Sequence, residues 1–173
     1  AALGLLDSPL IAAHMVHTTD GEIALLAKKG IHIAHNPASN LKLASGLARI
    51  SDQIAAGVNV GIGTDGAASN NKLDMFAEMR LAALLAKGQS GNPEAIPAWQ
   101  ALEMATINGA TALGLQDKIG SLEVGKQADL IAINLAQAGT QPCYDPISHL
   151  VYAADRTQVS DVWIAGRAVY RRY

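Results

Sequence analysis

Three short apolar runs in this chain each end in a polar group suited to a metal ion or a proton. Val60-Gly61-Ile62-Gly63-Thr64 delivers Asp65, and the small polar residues Gly66-Ala67-Ala68-Ser69-Asn70-Asn71 follow it. Leu10-Ile11-Ala12-Ala13 delivers His14, with Met15, Val16 and His17 beyond, and Ile31-His32-Ile33-Ala34 delivers His35-Asn36-Pro37-Ala38-Ser39-Asn40. A carboxylate at such a tip can bind a divalent cation and carry a proton transiently. An imidazole there titrates near neutrality and can hydrogen-bond a reacting oxygen. Each group also has a purely structural explanation. Asp is a preferred helix N-cap, a lone His at an apolar strand end is commonly satisfied within the fold, and Asn and Ser make turns with their own backbone.

The elements that must position these groups are legible from patterning. Residues 10–14, 31–35 and 58–64 read as buried strands, too short and too uniformly apolar for exposed helices. Thr18 or Thr19, with Glu22 after it, offers a capping start to a helix that runs through Lys28 and Lys29 and stops at Gly30. A loop through Gly46 precedes a helix over 50–56, and Leu73, Phe76, Met79, Leu84 and Leu85 mark another that ends near Gly88. Strand–helix alternation with short loops argues for right-handed parallel βαβ units. In a parallel β/α barrel the strand tips open onto the catalytic face, but a closed barrel needs eight strands and about 250 residues. Three strands alone leave two unpaired edges. Beyond a loop over 89–97, residues 98–113 read as one helix ended by Gly114, 128–133 as a strand, 147–153 as a short helix after Asp145-Pro146, and 159–170 as a closing hairpin.

The runs around His14, His35 and Asp65, the helix Lys72-Leu73-Asp74-Met75-Phe76-Ala77-Glu78-Met79-Arg80, then Met104-Ala105-Thr106-Ile107-Asn108-Gly109-Ala110 and Gly120-Ser121-Leu122-Glu123-Val124-Gly125-Lys126, together resemble the amidohydrolase superfamily. Within it they are most similar to the branch of 5-methylthioadenosine/S-adenosylhomocysteine deaminases and triazine-type chlorohydrolases. The resemblance implies an α/β fold: the C-terminal portion of a (β/α)8 metallo-dependent hydrolase barrel, about strands six to eight with trailing helices, over 1–118. It further implies the C-terminal part of a small β-sandwich with a short helix over 119–173. The family's His-x-His pair and its catalytic glutamate have no counterpart here, so the chain is expected to lack the N-terminal half of the barrel.

By the same resemblance, Asp65 binds one divalent metal ion, zinc before iron, manganese or nickel, and accepts a proton from the attacking water. His14 hydrogen-bonds that water or the developing tetrahedral centre. Zinc lowers the pKa of bound water from 15.7 to about 7. His35, Asn40 and Ser69 are expected to frame the substrate, with turn formation and local capping as the alternatives. The expected reaction is hydrolytic deamination of a heterocyclic amine of the S-adenosylhomocysteine or methylthioadenosine type. A chlorohydrolase, or a guanine- or cytosine-type deaminase, would use the same scaffold. From a different class comes a non-catalytic piece that needs a complementary half, since catalytic zinc typically takes three protein ligands.

The remaining features exclude more than they assign. A formal charge of −2 with no basic run gives no reason to expect nucleic acid or a membrane surface as a partner. The single cysteine, Cys143, permits no internal disulfide and suits a reducing cytoplasm. A homo-oligomer is compatible with all of this. Gly120 to Lys126 misses the phosphate-loop pattern because Gln127 follows the lysine. His149 reads as a surface residue, His17 as either plain surface or part of the loop at the site, His32 as facing a helix, and Trp99, Trp163 and the tyrosines as packing residues. Arg49 stands where the family resemblance leads one to expect a proline, which puts the local helix start in doubt.

Overall fold

A computed structural model describes residues 3–172 as a mixed α/β chain with two separate sheets. The first is parallel, in the order β1 (Ile11–Ala13), β2 (His32–His35), β3 (Val60–Ile62), with β1 and β3 as its edges. Register pairs Ile33 with Val60 and Ala34 with Gly61, so neighbouring side chains share a face. Ile33 and Val60 are wholly buried and pack into one core with Ile31, Ile50, Met79, Ala82 and Met104. On the opposite face the absence of a side chain matters: a Cβ on Gly61 would stand 3.3 Å from the backbone of Gly109.

Helices return the chain between these strands. The first, α1 (Asp20–Lys28), opens with a reciprocal capping box between Thr19 and Glu22, and Gly30 then takes φ 62°. After β2 comes α2 (Pro37–Lys42), where the sequence suggested only a loop. Its six residues are too few and too polar to show a helical period, and Pro37 at the first position starts it. Next, α3 (Ile50–Ala55) begins beside Arg49, which makes no capping bond and instead pairs with Asp20 and Asp52.

After β3, α4 (Met75–Ser90) is capped by Asp74, whose Oδ1 accepts from the Phe76 and Ala77 amides. It outlasts the Gly88 at which it was expected to end, and stops at Gly91 with φ 65°. The span expected as one helix is two, α5 (Ala98–Met104) and α6 (Ile107–Ala112), broken at Thr106. The break lets Asn108 Nδ2 donate to Val60 O and the Asn108 carbonyl accept from Asn59 Nδ2. Asn59 also meets His32, which therefore faces α6 as anticipated.

The second sheet is antiparallel, β4 (Leu130–Ile133) to β5 (Val159–Ile164) to β6 (Arg167–Arg171). Between β4 and β5 lies α7 (Pro146–Tyr152), which Arg80 of α4 holds by donating to the Val151 and Ala154 carbonyls. The aromatic residues depart from the packing role expected of them. Trp99 is 53% exposed, Tyr144 88% and Tyr170 48%, while Trp163 and Tyr152 are half-buried and Tyr173 lies outside the described residues. Among the described residues, no helix is long and apolar enough to cross a membrane.

Replacing Asp74 with alanine removes the acceptor for two amides at the start of α4. It should cost about 1 kcal/mol, read as a lower urea midpoint at unchanged slope.

Candidate functional site

Parallel pairing brings the C-terminal tips of the three strands to one edge of the sheet, and the polar groups meet there. His14 Nε2 lies 3.8 Å from Asp65 Oδ2 across 51 residues of sequence. Both residues hold the left-handed backbone region, His14 at φ 67° and Asp65 at φ 60°, with Met15 at 42°. Neither is glycine, so the conformation costs free energy that the surrounding contacts must offset.

Those contacts are specific. Asp65 Oδ2 accepts from Ser39 Oγ at 2.6 Å and from Ser69 Oγ at 2.8 Å, and Oδ1 accepts from the Gly66 amide at 2.8 Å. The Ser39 and Ser69 hydroxyls, then the Gly66 amide, hold the carboxyl down to about 2. It is therefore ionised throughout the neutral range. A capping role for Asp65 is not seen, because Asp74 caps α4. Ser69 likewise does no capping: the turn from Gly66 to Asn70 folds its hydroxyl back onto the carboxylate.

His14 is oriented from below. Its Nδ1 lies 2.8 Å from Asn40 Oδ1, an acceptor, so Nδ1 is the donor of that pair and Nε2 is turned towards Asp65. Asn40 is buried, and its Nδ2 has no partner among the described residues. His35 is buried beside it, with both ring nitrogens unpartnered among the described residues. Burial, and then the charge of His14, pull the His35 imidazole down to about 4, which keeps the ring neutral. His17 is exposed, and His149 bonds the Asp145 and Pro142 carbonyls.

Sequence reasoning singled out Asp65, His14, Asn40 and Ser69, all of which stand within this cluster, and His35 lies buried next to it. It passed over Ser39, grouped with the turn-forming residues, although Ser39 makes the shortest bond to Asp65. Glu78 was also missed, a buried carboxylate whose position among the apolar residues of α4 was the available signal. Chemically, an ionised carboxylate and an imidazole are side-chain types that fit the donor preferences of a zinc-like ion. They are two donors where catalytic zinc typically uses three, and among the described residues no group of three or more His, Cys, Asp or Glu stands together.

Comparison with known proteins matches residues 1–169 to the amidohydrolase family. A 5-methylthioadenosine/S-adenosylhomocysteine deaminase of Moorella thermoacetica is 57% identical over 170 residues, which is 98% of this chain and 40% of that protein. An adenosine deaminase from Xanthomonas campestris, solved with bound zinc, superposes with a TM-score of 0.94 at 52% identity, covering 96% of this chain and 38% of that one. An atrazine chlorohydrolase from Arthrobacter aurescens TC1, complexed with zinc, gives 0.87 at 34% identity, over 93% and 36% of the two chains. The chain thus spans about 40% of the length of the curated relative.

The acid limb follows from the depressed carboxyl. Stability contributed by the Asp65 contacts is fully present above the ordinary aspartate range and is lost as pH falls towards about 2. In metal-free protein the Asp65 carboxyl should titrate by carbon NMR near 2, and Ser39→Ala should move it up towards the ordinary range. An unmoved midpoint in that variant would show that Ser39 does not hold the charge.

Proposed function

The chain belongs to the amidohydrolase family, and on that premise we propose that it carries strands six to eight of a (β/α)8 barrel over 1–118 and part of a β-sandwich over 119–173. The complete enzyme hydrolyses the C–N bond of an exocyclic amine on an adenosine-type substrate, S-adenosylhomocysteine or methylthioadenosine before other heterocycles. The observation that carries this reading is the Asp65–His14 pair at the tips of parallel strands, in a chain 57% identical to a deaminase of that class. The part of the barrel that this chain does not contain supplies the remaining metal ligands and the group that protonates the ring.

Asp65 is the ligand this chain offers to a divalent metal, zinc by the precedent of the solved relatives. When bound, the ion supplies Lewis acidity towards the attacking water. Ser39, Ser69 and the Gly66 amide keep Asp65 ionised and aimed, so that it can take up the proton released as water adds to the ring carbon. His14 presents Nε2 to the same space and hydrogen-bonds the developing tetrahedral centre, while Asn40 fixes the ring. Ammonia leaves and an inosyl product remains. Ser69 frames the substrate at the mouth of the site, with Asn40 and His35 beneath it. A second reading, a piece inactive without its complement, is favoured by the shortfall of metal donors among the described residues. The two readings are compatible.

The test is ammonia release from S-adenosylhomocysteine and methylthioadenosine by the polypeptide at its natural length. Asp65→Asn should lower kcat by about 10³-fold or more, and His14→Asn by about 10²–10³-fold with KM little changed. Wild-type turnover in Asp65→Asn would refute the assignment, and turnover by residues 1–173 alone would refute the need for a complement.

A further inference from the structure

Glu78 lies in the first turn of α4 with its side chain turned into the protein, and only 1% of the residue is exposed. Its two carboxylate oxygens are used on two different segments. Oε2 accepts from the Ala38 amide at 3.0 Å, across 40 residues. Oε1 accepts from Asn70 Nδ2 at 2.6 Å, and the same Nδ2 donates to Thr64 O at 2.8 Å. Both oxygens face donors, which is the pattern of an ionised carboxylate. Burial pushes the group up, and its bonds to Ala38 and Asn70 oppose that push.

The bond to Ala38 does something that the sequence of α2 does not. Asn36, at the cap position of α2, makes no side-chain capping bond, so the orphan amide near the start of that helix is satisfied from α4. The acceptor is an anion, which also suits the positive end of the helix. Two of the next residues along α2 are Ser39, which bonds Asp65, and Asn40, which bonds His14. The bond to Asn70 works on the other partner. It ties down the carbonyl of Thr64, one residue before Asp65, and the turn that carries Ser69.

We propose that Glu78 is a positioning residue: its buried carboxylate fixes the start of α2 against the loop after β3, and thereby sets the meeting of Ser39 with Asp65 and of Asn40 with His14. It touches neither of the two reacting groups and acts only through the segments that carry them. The proposal rests on the reading of Asp65 as metal ligand and proton acceptor. Its geometric core, the Ser39–Asp65 contact, can be checked apart from that reading.

The test substitutes Glu78→Gln in the polypeptide at its natural length. Glutamine keeps the shape but has one acceptor oxygen, so it can serve Ala38 or Asn70 and not both. Zinc affinity, measured by competition with a chelator, and kcat at full zinc loading should each fall about 10–100-fold, the range for residues that orient a metal ligand. KM should stay within about threefold. In a crystal structure of the metal-free variant, Ser39 Oγ should have left Asp65 Oδ2, from which it stands 2.6 Å in the wild type. Combining Glu78→Gln with Ser39→Ala should cost little more than Glu78→Gln alone, because the contact that Ser39→Ala removes is one that Glu78→Gln has already released.

A purely structural role would lower the melting temperature while leaving zinc affinity, kcat and the Ser39–Asp65 contact as they were, and would overturn the proposal. If Glu78→Gln does not fold, Asn70→Ala cuts the same link at its other end and is read by the same measurements. If the wild type neither binds zinc nor deaminates, the functional reading fails, and the Ser39–Asp65 distance in the variant still decides the positioning role.

Discussion

A bare carboxylate at the mouth of a parallel sheet has to be held by donors that the sheet cannot supply, because strand tips offer few free amides on that side. Here the donors come from two loops: Ser39 from the start of α2, and Ser69 and the Gly66 amide from the turn after β3. Everything else around the site serves to bring those loops together. Parallel pairing of β2 with β3 sets their origins side by side. Asn36 fills the space above Gly63, where a Cβ would stand 2.5 Å from its Oδ1, and Lys42 spans from α2 to the Ala68 carbonyl and Asn71. The buried carboxylate of Glu78 closes the arrangement from beneath.

This division explains what the amino-acid sequence made legible. The three strands, the capping box at Thr19 and the long helix after Asp65 are written in local pattern, an apolar run or a capping pair within four residues. His14 and Asp65 stood out because each interrupts an apolar context at a strand end. The helix α2 was not visible, since a six-residue segment rich in Ser and Asn has no apolar face to show. It forms where an acceptor 40 residues away satisfies its first turn, and that is information carried by tertiary structure. The break between α5 and α6 has the same origin. No glycine or proline marks Thr106, but the bonds of Asn108 to β3 and Asn59 draw the second helix to the sheet.

The two serines and the His35–Asn40 motif illustrate a further limit. Ser69 and Ser39 are alike in local sequence, each a serine in a polar loop, and only the fold shows that both end on the same carboxylate oxygen. His35 and Asn40 sit in one motif yet meet different surroundings, Asn40 turned to the His14 ring and His35 enclosed with its nitrogens unpartnered among the described residues. Residue type marks what a group can do. Which of its atoms remains available is decided by neighbours that lie far along the chain.

The left-handed backbone at His14 and Asp65 has a consequence for how such a site persists under mutation. At both positions glycine would relax the main chain. The backbone preference alone would therefore favour glycine at these two places, against the hydrogen bonds that Asp65 and His14 make. Histidine and aspartate there set the ease of the main chain against what their side chains hold in place, and strained conformations of this kind persist where the surroundings over-determine them. An engineering effort that ranks substitutions by backbone ease alone, leaving out the hydrogen bonds these side chains make, would rate the erasure of this site as an improvement.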